Sequence, residues 1–529
     1  MLSGRSIIGF GVSADREEKL YSFSTLTGSV LPESFSVASS EDIETAITKA
    51  SGAFPVFSSL PAARRAEFLE AIAEEINALG EKLIERAHLE SGLPAARLNG
   101  ERDRTVNQLK LFAGILREGS WTEVVIDTAM PERKPLPRSD IRKMLMPLGP
   151  VAVFAASNFP FAFSTAGGDT ASALAAGCPV IVKAHTSHLG TNELMSSAIQ
   201  AAAKKTNMPD GVFSSLVGEG ARLGQQLAKH PGIRAIGFTG SFKAGMALYR
   251  TSVNERDNPI PVYAEMSSIN PVLLLPGKLS SDSEALAKQL AASITLGVGQ
   301  FCTNPGLLFL LDDGVSAQFI EQLINALNQV PAGTMLNKTI CSSYYSSRQK
   351  TASHKGVETL IEGGDDSGAF KGSPTLFRVS APEFMVQPGL QEEIFGPASM
   401  LVLCRDQQEM YAALSSLHGQ LTGSVFGSGD DLNQFRDCVE SISTRVGRVI
   451  YNNVPTGVEV CHAMVHGGPF PATTDSRSTS VGGDAIKRFL RPVCLQDCPA
   501  EHLPPALQNS NPLNIMRKVN GSYTRDPIT

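Results

Sequence analysis

The chain has 529 residues, of which 42% are hydrophobic and 19% charged, with a formal net charge of -6. That length exceeds one simple core and calls for two or three domains, while the apolar content excludes a disordered chain. The acidic balance, without a long basic run, argues against nucleic acid as a partner.

In chain order, Met1–Phe10 lacks a long apolar core and a clear cleavage site, which speaks against a signal peptide. Residues 40–80 read as two helices. Ser40 offers a cap followed by acids, and Phe68, Leu69, Ile72, Ile76 and Leu79 recur at helical spacing. Residues 81–117 continue helical with a break at Gly92-Leu93-Pro94. The basic, proline-rich run 132–143 reads as an exposed arm or edge strand. From Pro147 short apolar strands (149–156, 178–183, 212–217, 233–239) alternate with helices (166–176, 193–204, 223–229). That alternation predicts a parallel, doubly wound sheet with right-handed crossovers, whose ligands sit at the carboxyl ends of strands. Residues 157–158, 183–186, 218–220 and 240–241 follow those strands. A second α/β unit begins near Ser268, with strands at 272–275, 306–311, 398–403 and 448–451 and helices at 283–294 and 316–328. The tail from Pro492 is expected to form a strand and an arm. No apolar run is long enough to span a bilayer, so no membrane partner is expected. The eight cysteines contain no CxxC pair, and Cys494 and Cys498 lack a second ligand pair. Reduced thiols, a cytoplasmic location and no metal site are therefore expected.

Cys302 stands among small, turn-forming residues in Gly299-Gln300-Phe301-Cys302-Thr303-Asn304-Pro305-Gly306. A thiol can attack an electrophilic carbon. Glu265 closes the apolar stretch Val262-Tyr263-Ala264, where burial can raise a carboxylate's pKa and suit it to activating water. Asn158, directly after a strand, can donate to a developing oxyanion. Each has a plainer alternative: a core cysteine, a surface glutamate, a turn asparagine.

Seven segments in order carry a resemblance. They are Pro147–Val151, Ser157-Asn158-Phe159-Pro160, Lys183-Ala184, Phe238-Thr239-Gly240-Ser241, Glu265, Gly299–Cys302 and Glu392–Pro397. Together they resemble the aldehyde dehydrogenase superfamily from about Ser40 to Pro492. The resemblance implies an α/β fold of two doubly wound parallel-sheet domains plus a small β oligomerisation arm. The dinucleotide-binding domain would be 1–128 and 145–266, the catalytic domain 267–475, and the arm 129–144 and 492–529, in a homodimer or homotetramer. It makes Cys302 the nucleophile that forms a thiohemiacetal and then a thioester, Glu265 the base for hydrolysis, and Asn158 part of the oxyanion hole. Lys183, Thr186, Arg222, Gly240, Ser241, Glu393 and Phe395 would bind the cofactor. Thr186 stands where many NAD-preferring relatives carry a glutamate, so NADP is the first expectation and NAD the second. Two departures stand out: Ser267 and Ser268 replace the usual pair of glycines, and Ser157 replaces an aromatic.

The runs 265–271, 466–475 and 486–493 look closer to the 2-oxoglutarate semialdehyde (2,5-dioxopentanoate) dehydrogenases. That likeness implies oxidation of 2,5-dioxopentanoate to 2-oxoglutarate. Arg104 would anchor the substrate carboxylate, with Phe159, Phe301 and Phe470 as walls. The alternatives are oxidation of medium or long aliphatic aldehydes, acyl transfer to coenzyme A, and an inactive cofactor-binding structural protein.

Overall fold

The apolar runs after Pro147 become neighbouring parallel strands. A computed structural model describes residues 2–363 and 370–529. The chain opens with β1 (Ile7–Ile8), β2 (Gly11–Val12), the hairpin β3 (Lys19–Phe23) and β4 (Val30–Ser36), and helices α1 (Ser40–Ser59), α2 (Ala62–Ala78), α3 (Gly80–Ser91) and α4 (Ala95–Glu118). The short strands β5 (Val125–Asp127) and β6 (Ile141–Pro147) precede the doubly wound unit. That unit comprises β7 (Val151–Phe154), α5 (Gly168–Ala176), β8 (Val180–Lys183), α6 (Leu189–Lys205), β9 (Phe213–Leu216), α7 (Gly220–Lys229), β10 (Ala235–Thr239), α8 (Phe242–Asn254) and β11 (Val262–Glu265). Its sheet runs β11-β10-β7-β8-β9-β1-β2. Register sets Phe154 beside Lys183 and Phe238, and Thr239 beside Glu265, so Lys183, Thr239 and Glu265 emerge on one edge. Apolar layers cover both faces, as a parallel sheet requires.

The second unit begins with β12 (Pro271–Leu274), α9 (Pro276–Thr295), β13 (Leu307–Leu311), α10 (Gly314–Asn328), β14 (Gly333–Thr334), α11 (Lys338–Ala352), β15 (Glu358–Glu362) and β16 (Lys371–Gly372). It continues with β17 (Thr375–Ser380), α12 (Ala381–Met385), β18 (Ala398–Cys404), α13 (Gln407–Ser415), β19 (Gln420–Phe426), α14 (Gly429–Gln434), α15 (Arg436–Ser443) and β20 (Val446–Tyr451). Its sheet runs β15-β17-β18-β13-β12-β19-β20, parallel except for the antiparallel edge β15. One sequence expectation shifts slightly: the cap of α1 is Ser39, whose hydroxyl and N–H exchange hydrogen bonds with Asp42. In α9 a kink at Asp282 separates a first helical stretch from the helix expected from Ser283 onward.

The tail forms β21 (Leu490–Gln496), β22 (Arg517–Val519) and β23 (Ser522–Thr524) in a third sheet, β21-β6-β5-β22-β23. The tail strand pairs with Ile141–Pro147, from Gln496 opposite Ile141 to Leu490 opposite Pro147. Pro135 and Pro137 lack the N–H that a ladder needs, and the proline-rich run before Ile141 keeps only the isolated bridge Met130–Arg138. The sheet thus reaches from Val125 to Pro147, beyond 129–144 on both sides. Among the described residues, no helix is long and apolar enough to cross a membrane.

Candidate active site

Cys302 sits in the loop between α9 and β13, and the backbone there is tightly wound. Gly297, Val298 and Gly299 all have positive φ, at 56°, 59° and 65°. Gly299 is required, since a Cβ there would lie 2.2 Å from the Gly396 carbonyl oxygen. The Asn270 side-chain amide donates to the carbonyls of Cys302 and Asn304, both at 2.9 Å. The Leu336 N–H donates to Gln300 Oε1 at 2.9 Å. These bonds fix a half-buried sulfur facing a cleft.

Glu265 ends β11 beside that sulfur. Its Oε1 accepts from His466 Nε2 at 2.8 Å and its Oε2 from the Ser480 hydroxyl at 2.6 Å. The same His466 Nε2 lies 3.4 Å from Cys302 Sγ. The raised pKa expected for Glu265 is not found. Burial pushes it up, but His466, by charge and hydrogen bond, together with Ser480 and Cys302, outweighs burial and holds it below the usual range. The thiol moves the opposite way. Burial, then the charge and hydrogen bond of Glu265, and then the charge of Glu393 push Cys302 well up, against a smaller pull from Arg104. At rest the pair is therefore a carboxylate beside a protonated thiol. The donor atoms of Glu265, Cys302 and His466 all lie within 4.8 Å of one another, a spacing that would also suit a metal ion.

His466 was given no role by the sequence. It stands 164 residues from Cys302 and meets it only because residues 466–474 fold back on β11. The Met266 N–H donates to the Ala472 carbonyl at 2.8 Å, and Glu265 bridges to Thr473. The two serines that replace glycines are both engaged. Ser268 Oγ lies 2.9 Å from Asn270 Oδ1 and 3.0 Å from Gln420 Oε1. The Ser267 hydroxyl accepts from the Phe242 N–H at 3.3 Å and hydrogen-bonds Glu393.

Asn158 is buried and its side-chain amide donates to the Gln300 carbonyl at 3.1 Å, next to the Cys302 loop. Its own carbonyl accepts from Arg97 at 2.7 Å. Buried Glu101 accepts from the N–H groups of Phe161 and Ala162, at 2.8 and 3.0 Å, and so sets the loop that carries Asn158. The Phe159 ring meets Phe301 at 5.3 Å and Phe163 at 5.2 Å, both edge-on. The Arg104 guanidinium lies 4.9 Å over Phe163 and 5.8 Å over Phe159, and donates to the Val458 carbonyl at 3.2 Å. Phe470 does not join this wall. It is 58% exposed and packs edge-on against Phe242 at 6.0 Å, so Phe163 takes the place expected for it. Arg448, also unforeseen, donates to the carbonyls of Pro455 and Gly457, next to the Val458 carbonyl that Arg104 holds.

A cleft of about 1300 Å³ runs between the two α/β units, lined by Cys302, Asn158, Glu265, Glu393, Phe395, Gly240, Ser241 and Thr186. Gly240 leads into α8, and a Cβ on it would strike the Phe238 ring at 2.7 Å. Ser241 caps α8, accepting from the Ala244 N–H at 3.4 Å, and the electropositive start of that helix lies at the cleft that Ser241 lines. Burial pushes Glu393 up to about 7, against hydrogen bonds from Ser267 and the Ser268 N–H. Burial pulls the Lys183 ammonium down to about 8. Its nitrogen lies 3.8 Å from where a Cβ on Gly220 would stand, at the electropositive start of α7. Arg222 departs from expectation. It is 61% exposed and pairs with Glu18 at 3.2 Å, and it is not among the residues lining the cleft. The cationic, N–H-rich and glycine-cradled wall that remains fits a dinucleotide.

The sequence profile of the aldehyde dehydrogenase family matches residues 12–482. The chain belongs to that family. It is 51% identical over 521 residues to "Alpha-ketoglutaric semialdehyde dehydrogenase 2" of Azospirillum brasilense, covering 98% of this chain and 99% of the relative. It is 44% identical to an alpha-ketoglutaric semialdehyde dehydrogenase of Acinetobacter baylyi, covering 93% of each. The fold is shared with 1-pyrroline-5-carboxylate dehydrogenase of Thermus thermophilus, with a TM-score of 0.79 at 21% identity over 93% of this chain and 92% of that one. The protein is thus an enzyme of the aldehyde dehydrogenase type, and its two parallel sheets are those of that fold. Within this aldehyde dehydrogenase, Cys302, Glu265, Asn158, Glu393, Phe395, Thr186, Gly240 and Ser241 line one cleft, and the Lys183 amine lies close to Gly220, which lines it too.

Proposed function

We propose that this aldehyde dehydrogenase oxidises 2-oxoglutarate semialdehyde to 2-oxoglutarate, with NADP as acceptor and water as co-substrate. The observation that carries the reading is the buried Cys302–His466–Glu265 contact at one end of the cleft. Glu265, held as a carboxylate, takes the Cys302 proton as sulfur bonds to the aldehyde carbon. The Asn158 amide, with the Cys302 N–H, receives the oxyanion of the thiohemiacetal. Lys183, Thr186, Gly240 and Ser241 hold the adenosine and pyrophosphate, and Glu393 and Phe395 the nicotinamide end. The bound dinucleotide supplies the acceptor for the aldehyde hydrogen and its electron pair. Glu265 then loses its proton to solvent and takes another from water as the water oxygen adds to the thioester carbon. The carbon–sulfur bond breaks, the carboxylate product leaves and sulfur is reprotonated.

The two relatives at 51% and 44% identity carry this substrate in their names. Arg104 gives the acid end of such a substrate a half-buried cation whose charge reaches Cys302. The phenyl wall of Phe159, Phe163 and Phe301 supports apolar aldehydes as a second reading. Strand β21, largely exposed at the edge of the third sheet, offers an open ladder to a second copy and supports a homo-oligomer. The test is initial rates on 2,5-dioxopentanoate, succinic semialdehyde and hexanal, each with NADP and with NAD. The acid substrates and NADP are expected to give the highest kcat/KM. Arg104→Met should lower kcat/KM for the acids by roughly 10-fold or more and leave hexanal unchanged. Equal rates on hexanal and 2,5-dioxopentanoate would favour the apolar reading.

A further inference from the structure

The amino-terminal hairpin supplies a cleft wall to which nothing above assigns a role. It is seated on the strand ends that carry the adenosine-side residues. Leu20 packs against Phe35, Ala184, Leu189 and Val217. The Ala38 N–H donates to the Val217 carbonyl at 2.8 Å, and the Val37 N–H to the Glu18 carbonyl at 2.9 Å. Lys19 is thereby placed beside the turn that leads from β9 to Gly220 and α7.

Ser22 is buried, while Tyr21 and Phe23, on either side of a register shift in the hairpin, are 47% and 50% exposed, and both line the cleft with Lys19 and Leu20. Exposed aromatics in a concave site are poorly explained by packing within the chain. Lys19 is held in place by Asp15 and by the Ser36 hydroxyl, the latter at 2.8 Å. An ammonium has three donors, and those two partners leave one. Arg222, the cation expected for a 2′-phosphate, is meanwhile occupied by Glu18 outside the cleft.

We propose that the outward face of β3 closes the adenosine end of the cleft, with Lys19 donating to a nucleotide 2′-phosphate and Tyr21 packing on the adenosine. The inference rests on the dinucleotide reading above and adds to it a determinant of phosphate preference. Calorimetric titration of the full-length protein with NADP, NAD and 2′,5′-ADP tests it. Lys19→Met should weaken NADP and 2′,5′-ADP by about 10-fold, equivalent to about 1.4 kcal/mol, and leave NAD within twofold. Lys19→Arg should restore most of the loss. Tyr21→Ala should weaken NADP and NAD by a similar factor. Melting temperatures of the variants report any unfolding separately. Lys19→Met binding NADP as wild type does, or losing NAD equally, would overturn the role of Lys19. Tyr21→Ala binding both cofactors as wild type does would overturn the wall. Wild type binding neither dinucleotide would instead sink the cofactor reading itself.

Discussion

The two ends of the cleft are built on opposite plans. Around Cys302 the polar groups are mutually satisfied: Glu265 by His466 and Ser480, the loop carbonyls by Asn270, and Asn158 by Gln300 and Arg97. Around Lys183 the groups are held in place but unsaturated. A buried ammonium faces a helix start, the capped helix α8 puts its positive end at the cleft, and β3 displays aromatics to solvent. On the proposed function, the Cys302 end is preorganised for bonds that form and break within it, and the Lys183 end is preorganised to be completed by an anion.

The comparison breaks most sharply if the carboxylate at the satisfied end is neutralised. Glu265→Gln keeps the shape and removes the charge. Turnover should fall by roughly 10²–10⁴-fold, the range for loss of a general base. The same change removes what raises the thiol's pKa after burial itself. Cys302 should therefore become more acidic, and its alkylation by iodoacetamide at pH 8 faster, while wild-type alkylation keeps rising above pH 9. Slower alkylation in the variant would mean that Glu265 assists ionisation at rest, contrary to the reading above. Dinucleotide affinity, set at the other end, should not move.

His466 sharpens the same contrast with a smaller effect. In His466→Asn, Glu265 loses the partner that does most to hold its pKa down. Its folded-state pKa then rises, so the base is lost at a higher pH as the solution is acidified. The acid limb of kcat/KM should move upward, and kcat at pH 7 should fall by about 10-fold or more. A loss of kcat with an unmoved acid limb would make His466 a packing residue only.

How much of this was legible in the sequence follows the same division. The doubly wound units were readable because buried parallel strands leave unbroken apolar runs such as 151–154 and 180–183, separated by amphipathic helices. Cys302 was readable because its loop needs glycines at fixed positions, and Gly299 shows why. His466 opens a run that carried the resemblance, but nothing local marked it as a partner of Cys302 and Glu265. Its role depends on a fold-back of residues 466–474 onto β11, a contact between distant segments that no periodicity encodes. Phe470 was misplaced for the same reason, since its run pointed to the site but not to the face on which its ring would lie. The pKa of Glu265 moved against expectation because burial was the only influence visible without its partners. At the open end, Arg222 looked suitable by residue type. The acid that engages it, Glu18, belongs to an amino-terminal hairpin that no motif marked as part of the cleft.

The smallest expected effect tests the unsaturated end by pH alone. In the free protein burial lowers the Lys183 ammonium from the ordinary lysine value of 10.5 to about 8. The charged form is therefore disfavoured on folding, and that cost is present below pH 8 and fades as pH rises toward 10.5. A phosphate bound nearby favours the charged form and raises its pKa again. Affinity gained this way is fully present below about pH 8 and is lost as pH rises through the higher pKa of the complex. The dissociation constant for NADP, followed from pH 7 to pH 9.5, should rise by about threefold to tenfold. In Lys183→Met it should be weaker at pH 7 and nearly flat across that range. A flat profile in the wild type would place this amine away from the phosphates, against ribose hydroxyls alone, and would leave the helix starts of α7 and α8 and the wall of β3 to supply the anion-binding character of that end.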